Sequence, residues 1–420
     1  MEFTAKLGST LLSLLLGLGL AGPVSANQEL GVSARKADLR LGCLYPMTGP
    51  GNQNGRDAAI AIGMALEKIH RRDDGSPKLN VVVEDTRNKQ FRASEIARQL
   101  IDQQQVQILC GVLNSGIALE ISNLARATRT LFIGGGHASS QLTNGALHPW
   151  YFRVSNDSKQ SMRAGARYLR ELQQKHGWKT LAYIGPDYDY GHQIMRDMLA
   201  ALDALQVEYS IVAEYYPKLL ETDFSEYITA LAEKQPDILI SGHWGDDFVF
   251  FVRQANAEGL LEQTRIYGFE QVGGYYNLSR LGDDLPPGMV LAARHHINWP
   301  ETAANKEFVE TFHSRAGHYP SHTAQDAYSV IIAVAEAWKA ASQKNVEGVR
   351  KALPGLSIPL PEDPPGYVSW IDPQTQQIMQ AVAIGESMAD DRYPPATRML
   401  GNWQVFYPES RPPQSAPAAD

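Results

Sequence analysis

Short apolar runs alternate with helical patterns along most of this chain, and that alternation limits the fold more than any other feature. Each apolar run has four to eight residues, as expected of a buried strand. The runs cover residues 39–44, 79–83, 106–109, 130–133, 180–184, 206–213, 238–241 and 265–268. Strands that alternate with helices form parallel sheets covered by helices on both faces. We therefore predict an α/β protein.

The alternating pattern is interrupted near residues 151–154 and restarts with a long helix over 159–176. A chain of 420 residues is also too long for one ordinary hydrophobic core. Both observations predict two α/β units. Ligands of open parallel sheets bind at the carboxyl ends of the strands, so we expect a ligand between the two units.

The two ends of the chain are set apart from the predicted fold. Lys6, the apolar run 11–20 and small residues up to Ala26 are typical of a cleaved signal peptide over residues 1–26. The apolar run is too short to span a bilayer, and no cysteine precedes Cys43, so we expect an exported protein without a membrane anchor. Residues 404–420 are predicted to be a disordered tail.

Charge, histidines and cysteines narrow the function. A net charge of −8 argues against nucleic acid as a partner. The eleven histidines show no zinc-like spacing, so neither a metal nor a cofactor is predicted. The two cysteines, Cys43 and Cys110, lie in predicted strands, which leaves both a disulfide and two buried thiols open. Buried thiols are the preferred interpretation.

The stretch from residue 110 to residue 143 carries the densest set of small polar residues. Ser115 and the triple glycine 134–136 follow predicted strands, and a helix is expected to begin near Ile117. Backbone N–H groups, the Ser115 hydroxyl and the helix N-terminus could converge there on an anionic group. The glycines match no phosphate-loop pattern, and Ser115 lacks the G-x-S-x-G motif of a hydrolase. Binding without catalysis is therefore predicted.

Five residues in loops that follow predicted strands are further candidates for the cleft. Tyr190 and Trp244 offer flat walls with a polar edge. Glu270 follows a buried strand, and because an unpaired buried carboxylate is costly, we expect it either to stay in contact with water or to meet a cation such as a ligand ammonium. His137 and His243 are predicted to line the same cleft.

Several short motifs, taken in order, resemble the periplasmic Leu/Ile/Val-binding family, the type I solute-binding proteins of ABC importers. They are Tyr-Pro-Met-Thr-Gly-Pro at 45–50, Glu-Asp at 84–85, Tyr-Phe-Arg-Val at 151–154, Tyr-Gly at 190–191 and Gly-Phe-Glu at 268–270. The chain is also similar to family members found beside PQQ-dependent alcohol dehydrogenase systems.

This resemblance implies two Rossmann-like lobes, joined by three crossing segments, that close on a ligand. The N-terminal lobe would comprise residues 38–156 and 294–365, and the C-terminal lobe residues 157–293 and 366–403. It also implies a monomeric, non-enzymatic periplasmic protein that delivers a small-molecule ligand to an inner-membrane ABC permease. A periplasmic sensor that passes its signal to a receptor or regulator is the alternative; a hydrolase on this fold is a weaker one.

The resemblance further implies the roles of individual residues. A ligand carboxylate would be held by Ser115 and the loop 136–138, and an ammonium by Glu270. Two departures, Ala138 and Asn54, remove a hydroxyl and an aromatic wall that amino-acid binders have. The predicted ligand is therefore a small polar metabolite, an amino acid or a related carboxylate or amide. The predicted contacts are Asn54, Ser115, Gly136, His137, Ala138, Tyr190, His243, Trp244 and Glu270.

Overall fold

The computed structural model describes residues 27–408, which form two sheets flanked by helices and confirm the predicted α/β fold. The helices are α1 Asn52–His70, α2 Gln90–Asp102, α3 Ser115–Thr128, α4 Ser158–His176, α5 Asp189–Ala204, α6 Ser225–Lys234, α7 Gly245–Ala257, α8 Leu260–Gln263, α9 Tyr275–Leu281, α10 Ala303–Ala316, α11 His322–Ala340 and α12 Val346–Ala352. The predicted signal peptide lies outside the described residues.

The first sheet is parallel except at one edge. Its strands are β1 Gln28–Gly31, β2 Leu39–Tyr45, β3 Leu79–Asp85, β4 Ile108–Gly111, β5 Leu131–Gly134 and β6 Tyr151–Arg153. They lie in the order β1-β3-β2-β4-β5-β6, and only β1 runs antiparallel to its neighbour. The carboxyl ends of β2, β4 and β5 therefore meet at one edge, where the loops after them can form a common wall.

The second sheet is likewise parallel except at one edge, where β14 and β15 pair antiparallel. Its strands are β7 Thr180–Ile184, β8 Ser210–Tyr215, β9 Ile238–Ser241, β10 Arg265–Gly268, β11 Val290–Ala292, β14 Val382–Ala389 and β15 Arg398–Phe406, in the order β15-β14-β11-β10-β9-β7-β8. Because β15 continues to Phe406, the tail predicted from residue 404 begins too early. Residues 409–420 of that tail lie outside the described part of the chain.

Within the described residues, the chain crosses between the sheets after Arg153, after Ala292 and before Val382. Helix α11 packs against α1, beside the first sheet. We call the first sheet with α1–α3 and α10–α12 the first lobe, and the second sheet with α4–α9 the second lobe. A small pair of strands, β12 Trp370–Ile371 and β13 Ile378–Met379, bridges to β6 through Gln377. The lobe boundary predicted at residue 366 therefore precedes the observed crossing.

A disulfide joins the middle of the first sheet. Cys43 on β2 lies directly opposite Cys110 on β4, with their Cα atoms 4.4 Å apart and their sulfurs bonded. The preferred interpretation of two free thiols was therefore wrong. Strand β2 lies between β3 and β4, so residues 67 positions apart in sequence become neighbours.

The first crossing is held by a fully buried arginine. Arg153 donates to Asp157 Oδ2 at 3.0 Å, to Gln377 Oε1 at 2.6 Å and to the carbonyl oxygen of Ser139 at 2.7 Å. Removing one partner from such a buried ion pair leaves an uncompensated charge, which makes the arrangement costly to change. Arg153 thus fixes the loop after β5 relative to the crossing segment.

Candidate functional site

Loops of both lobes meet around a small cavity of about 20 Å³. Asn54 and His322 line it from the first lobe, and Trp244 and Gln271 line it from the second. Two residues predicted from sequence, Asn54 and Trp244, are therefore brought together here. The lining by both lobes makes this the candidate ligand-binding cleft.

A cluster of buried charged side chains adjoins this cavity through Gln271. Arg294, on the crossing after β11, donates from Nε to Glu270 Oε1 at 2.6 Å and from Nη2 to Glu270 Oε2 at 3.4 Å. Tyr190 donates its hydroxyl to Glu270 Oε2 at 3.0 Å. A ligand cation was expected at Glu270. The structure corrects this expectation, because Arg294 of the same chain supplies the cation.

The same arginine reaches the first lobe. Its Nη1 lies 3.3 Å from Asp326 Oδ2 on α11, and its Nη2 donates to Gln271 Oε1 at 3.2 Å. We call Tyr190, Glu270, Gln271, Arg294 and Asp326 the charged wall. It connects the loop after β10 in the second lobe, the crossing segment and a helix of the first lobe.

Asp326 is incompletely satisfied within this wall. Its Oδ1 is buried and has no hydrogen-bond partner, and the side chain is 0% exposed. Burial raises the pKa of Asp326 to about 7; Arg294 opposes the rise and the charge of Glu270 adds to it. The hydroxyl of Tyr45, at the end of β2, is likewise buried without a partner. Burial, followed by the charge of Asp326, raises the pKa of that hydroxyl.

The small polar residues singled out in the sequence follow β4 and β5 of the first lobe. Asn114 caps α3 by accepting from the N–H groups of Gly116 at 2.9 Å and Ile117 at 3.2 Å. Ser115 Oγ accepts from the N–H groups of Ala138 at 3.4 Å and Ser139 at 3.2 Å. We call Asn114, Ser115, Ala138 and Ser139 the donor wall. Its backbone donors, predicted to face an anion, are used within the chain.

Close packing explains why glycine occupies the three positions after the apolar part of β5. A Cβ at Gly134 would lie 2.7 Å from the His137 ring, and one at Gly135 would lie 3.1 Å from the carbonyl oxygen of Asp326. Gly136 has φ +115°, a conformation that favours glycine. Gly135 therefore lets the loop approach α11 at Asp326, while the predicted contact Gly136 lies against the backbone of Val112.

Two predicted contacts are core residues instead. The ring nitrogens of His137 bond the carbonyl oxygen of Val112 and the hydroxyl of Tyr151, each at 2.8 Å. His243 packs against Phe224 and Phe251 in the second lobe. Burial lowers the pKa of each of these histidines to about 3, so both are neutral. The prediction that His137 and His243 line the cleft is corrected by this burial among aromatic side chains.

Sequence reasoning missed Arg294 and Asp326, although both left a signal. Arg294 directly follows an apolar run, and Asp326 lies shortly before the apolar run 330–335 of α11. A charge beside an apolar run must be paired if the fold buries it. The two residues are 32 positions apart, so only the fold identifies them as partners.

Neither a metal centre nor a membrane span was found in the part of the chain that the structure describes. No group of three or more histidine, cysteine or acidic side chains there is arranged to hold a metal ion. None of the helices between residues 27 and 408 has the length and apolar character needed to cross a bilayer.

The family model described as periplasmic binding protein matches residues 38–392. The chain belongs to the periplasmic binding protein family. Family membership places this periplasmic binding protein in the periplasm, and it confirms that the protein is a solute-binding protein and not an enzyme.

Similarity to known relatives extends over most of the length of this periplasmic binding protein. Leu/Ile/Val-binding protein homolog 7 of Brucella abortus (strain 2308) is 24% identical over 377 residues, which are 87% of this chain and 92% of that protein. The predicted resemblance to Leu/Ile/Val-binding proteins is thereby confirmed.

Solved structures show the same fold. A solute-binding protein of an ABC transporter from Rhodopseudomonas palustris BisB5, in complex with 3,4-dihydroxybenzoic acid, has a TM-score of 0.76 at 23% identity and covers 88% of this chain and 97% of its own. An amino acid ABC transporter substrate-binding protein from Pseudomonas fluorescens Pf-5 has a TM-score of 0.76 at 20% identity, covering 88% and 96%. The two-lobed fold of these proteins is that predicted for this chain.

Proposed function

We propose that this periplasmic binding protein captures a small polar metabolite between its lobes and delivers it to an inner-membrane ABC importer. The observation that carries the proposal is the meeting of both lobes and a crossing segment at Arg294, beside a cavity lined from both sides. A site shared by two lobes is complete only when they are close together. A ligand that contacts both lobes then binds the closed form better and shifts the population toward it.

The proposed ligand class is an amino acid or a related carboxylate or amide. Relatives in the family support this range, since one is a complex with 3,4-dihydroxybenzoic acid and another is an amino acid transporter component. We propose contacts from Asn54, Trp244 and Tyr190, and from the donor wall at Ser115 and Ala138, with Gly136 beside it. Glu270 would act through Arg294.

We further propose that the protein is exported by a signal peptide cleaved near Ala26 and works as a monomer. The two lobes would be residues 38–156 with 294–365 and residues 157–293 with 366–403, adjusted at the last crossing. The match of the family model from residue 38 onward supports a mature chain that begins after the apolar run 11–20.

A thermal-shift screen followed by small-angle X-ray scattering tests the proposal. A ligand at 100 times its Kd should add about 2.7 kcal/mol to the free energy of unfolding. It should also reduce the radius of gyration as the lobes close. A Trp244→Ala variant should lose most of the shift, whereas the exposed Lys234→Ala variant should keep it. No shift with any carboxylate, amide, amino acid or hydroxylated solute would contradict the proposal.

Delivery requires a separate assay. The importer genes that belong with this protein should support uptake of the identified ligand in membrane vesicles only when the binding protein is present. Uptake that is unaffected by the binding protein would contradict the importer role while leaving ligand capture intact.

A further inference from the structure

We propose that Arg294 determines the specificity of the cleft as an internal cation, so that the ligand carries no protonated amine and instead donates an uncharged O–H or N–H group to Asp326. The ligand class is then a hydroxylated or amide-bearing solute, neutral or acidic. The inference rests on the proposed function and narrows its ligand.

Glu270 has little capacity left for a ligand cation. Arg294 donates to both of its carboxylate oxygens, at 2.6 and 3.4 Å, and Tyr190 donates to one of them at 3.0 Å. The Glu270 side chain is 4% exposed, so no water competes for it from an open face. A charge-assisted pair of this kind is the strong form of a protein hydrogen bond.

Arg294 is also held too firmly to move aside at small cost. It is 6% exposed and bonds Glu270, Gln271 and Asp326, which belong to two different lobes. An ammonium group would have to displace this guanidinium or lie beside it. Either arrangement places like charges together in a buried site, or leaves one of them unpaired, and both are unfavourable.

Free hydrogen-bonding capacity remains at Asp326, the partner of Arg294 in the first lobe. Asp326 Oδ1 and the Tyr45 hydroxyl are both buried without partners, and both side chains are 0% exposed. Tyr45 lies over Gly111, and the loop at Gly135 lies against the backbone of Asp326, so the ends of β2, β4 and β5 converge here. A buried acceptor without a donor costs free energy until one is supplied.

An uncharged ligand donor satisfies this acceptor without a new charge. A hydroxyl or an amide N–H can donate to Asp326 Oδ1, and the Tyr45 hydroxyl can donate to or accept from the same ligand. An ammonium at Asp326 would lie close to the Arg294 Nη1, which is 3.3 Å from the other carboxylate oxygen. The arrangement therefore selects on charge as well as on hydrogen-bonding capacity.

Retention of matched compounds tests this inference. The wild-type protein is incubated with pooled amino acids, the 2-hydroxy acids with the same side chains, and the corresponding amides without an amine. Bound compounds are identified by native mass spectrometry, released, and treated with an amine-reactive reagent. We expect compounds that do not react, with each 2-hydroxy acid or amide retained at least tenfold more than its amino acid.

Three variants test the roles of Arg294 and Asp326. Arg294→Met should raise retention of amino acids relative to 2-hydroxy acids by at least tenfold, because Glu270 then lacks a cation. Arg294→Lys keeps a cation beside Glu270 and should preserve the wild-type preference. This variant also provides a test at the same position if Arg294→Met does not fold. Asp326→Ala should weaken retention of the hydroxylated ligand by tenfold or more.

The outcomes separate this inference from the proposed function. Retention of amine-reactive compounds by the wild-type protein would overturn the inference and leave solute capture intact. An equal preference in wild type and Arg294→Met would remove Arg294 as the determinant. Failure to retain any pooled compound would contradict the proposed function, and the inference with it.

Discussion

The donor wall and the charged wall differ in how the chain uses their polar groups. In the donor wall, Asn114 and Ser115 accept the backbone N–H groups that could have met a ligand. In the charged wall, Arg294 satisfies Glu270 but leaves one oxygen of Asp326 without a partner.

This difference gives the two walls different roles, because the donor wall is held rigid and the charged wall recognises the ligand. Internal hydrogen bonds hold the backbone of the donor wall in shape and leave the hydroxyls of Ser115 and Ser139 as its remaining donors, of which that of Ser139 is buried without a partner. The charged wall connects both lobes, so its pairing depends on how they sit relative to each other. Strength of binding and choice of ligand are therefore expected to depend mainly on the charged wall.

Removing the central cation should have the largest effect on stability. Arg294→Met leaves Glu270 and Asp326 as buried carboxylates without their partner, which should cost about 3–5 kcal/mol of the free energy of unfolding. Urea denaturation measures the loss. Arg253→Met is the matched control, because Arg253 pairs with Asp284 at the surface and such pairs contribute about 1 kcal/mol or less. Equal losses in the two variants would show that the buried ion pairs of the charged wall contribute no more than a surface pair.

Loss of the disulfide in the first lobe should have the next largest effect on stability. Cys43→Ser with Cys110→Ser removes a cross-link that spans 67 residues and should cost about 2–5 kcal/mol. The second lobe contains neither of the two cysteines, so hydrogen exchange should show the loss in the first lobe. Uniform loss across both lobes, or none, would contradict a local role. Reductant should have no effect on the double variant.

Asp326 should give the charged wall a pH dependence of its own. Because the pKa of Asp326 is raised to about 7 in the folded state, from 3.8, the folded protein holds this proton more firmly than the unfolded chain. Its stabilising contribution is thus fully present below about pH 4 and is lost as pH rises to about 7. The difference in unfolding free energy between wild type and Asp326→Asn should fall across that window by up to about 4 kcal/mol.

Urea denaturation of both proteins at pH 4.5 and 7.5 measures this change. The exposed Asp102→Asn variant serves as the control for effects on the rest of the chain. A difference between wild type and Asp326→Asn that stays constant with pH would show that the Asp326 carboxyl is not perturbed by burial.

The smallest effect is expected in the donor wall. Ser115→Ala leaves the N–H groups of Ala138 and Ser139 without their acceptor, which should cost about 1–2 kcal/mol. Thr229→Ala, at an exposed position on α6, is the control and should change stability by less than about 0.5 kcal/mol. If Ser115→Ala is as mild as the control, the donor wall is not held by these bonds.

The fold was predictable because it depends on local patterns. Alternating apolar runs and helices indicate parallel sheets from sequence alone. The segments that follow the predicted strands contain Ser115, Tyr190, Trp244 and Glu270, which made these residues candidates for the site. The partners of those residues were not predictable in the same way. The pairing of Cys43 with Cys110 needed the strand order, and the pairing of Glu270 with Arg294 needed the path of a crossing segment. His137 and His243 show the converse, since a loop position gave no sign of which way the ring packs.

A crystal structure of the protein with its retained ligand tests the central claim most directly, through the atom next to Glu270. The account predicts that Arg294 Nε stays within hydrogen-bond distance of Glu270 and that an uncharged hydroxyl or amide of the ligand donates to Asp326. A ligand ammonium bound to Glu270, with the Arg294 guanidinium displaced, would contradict it.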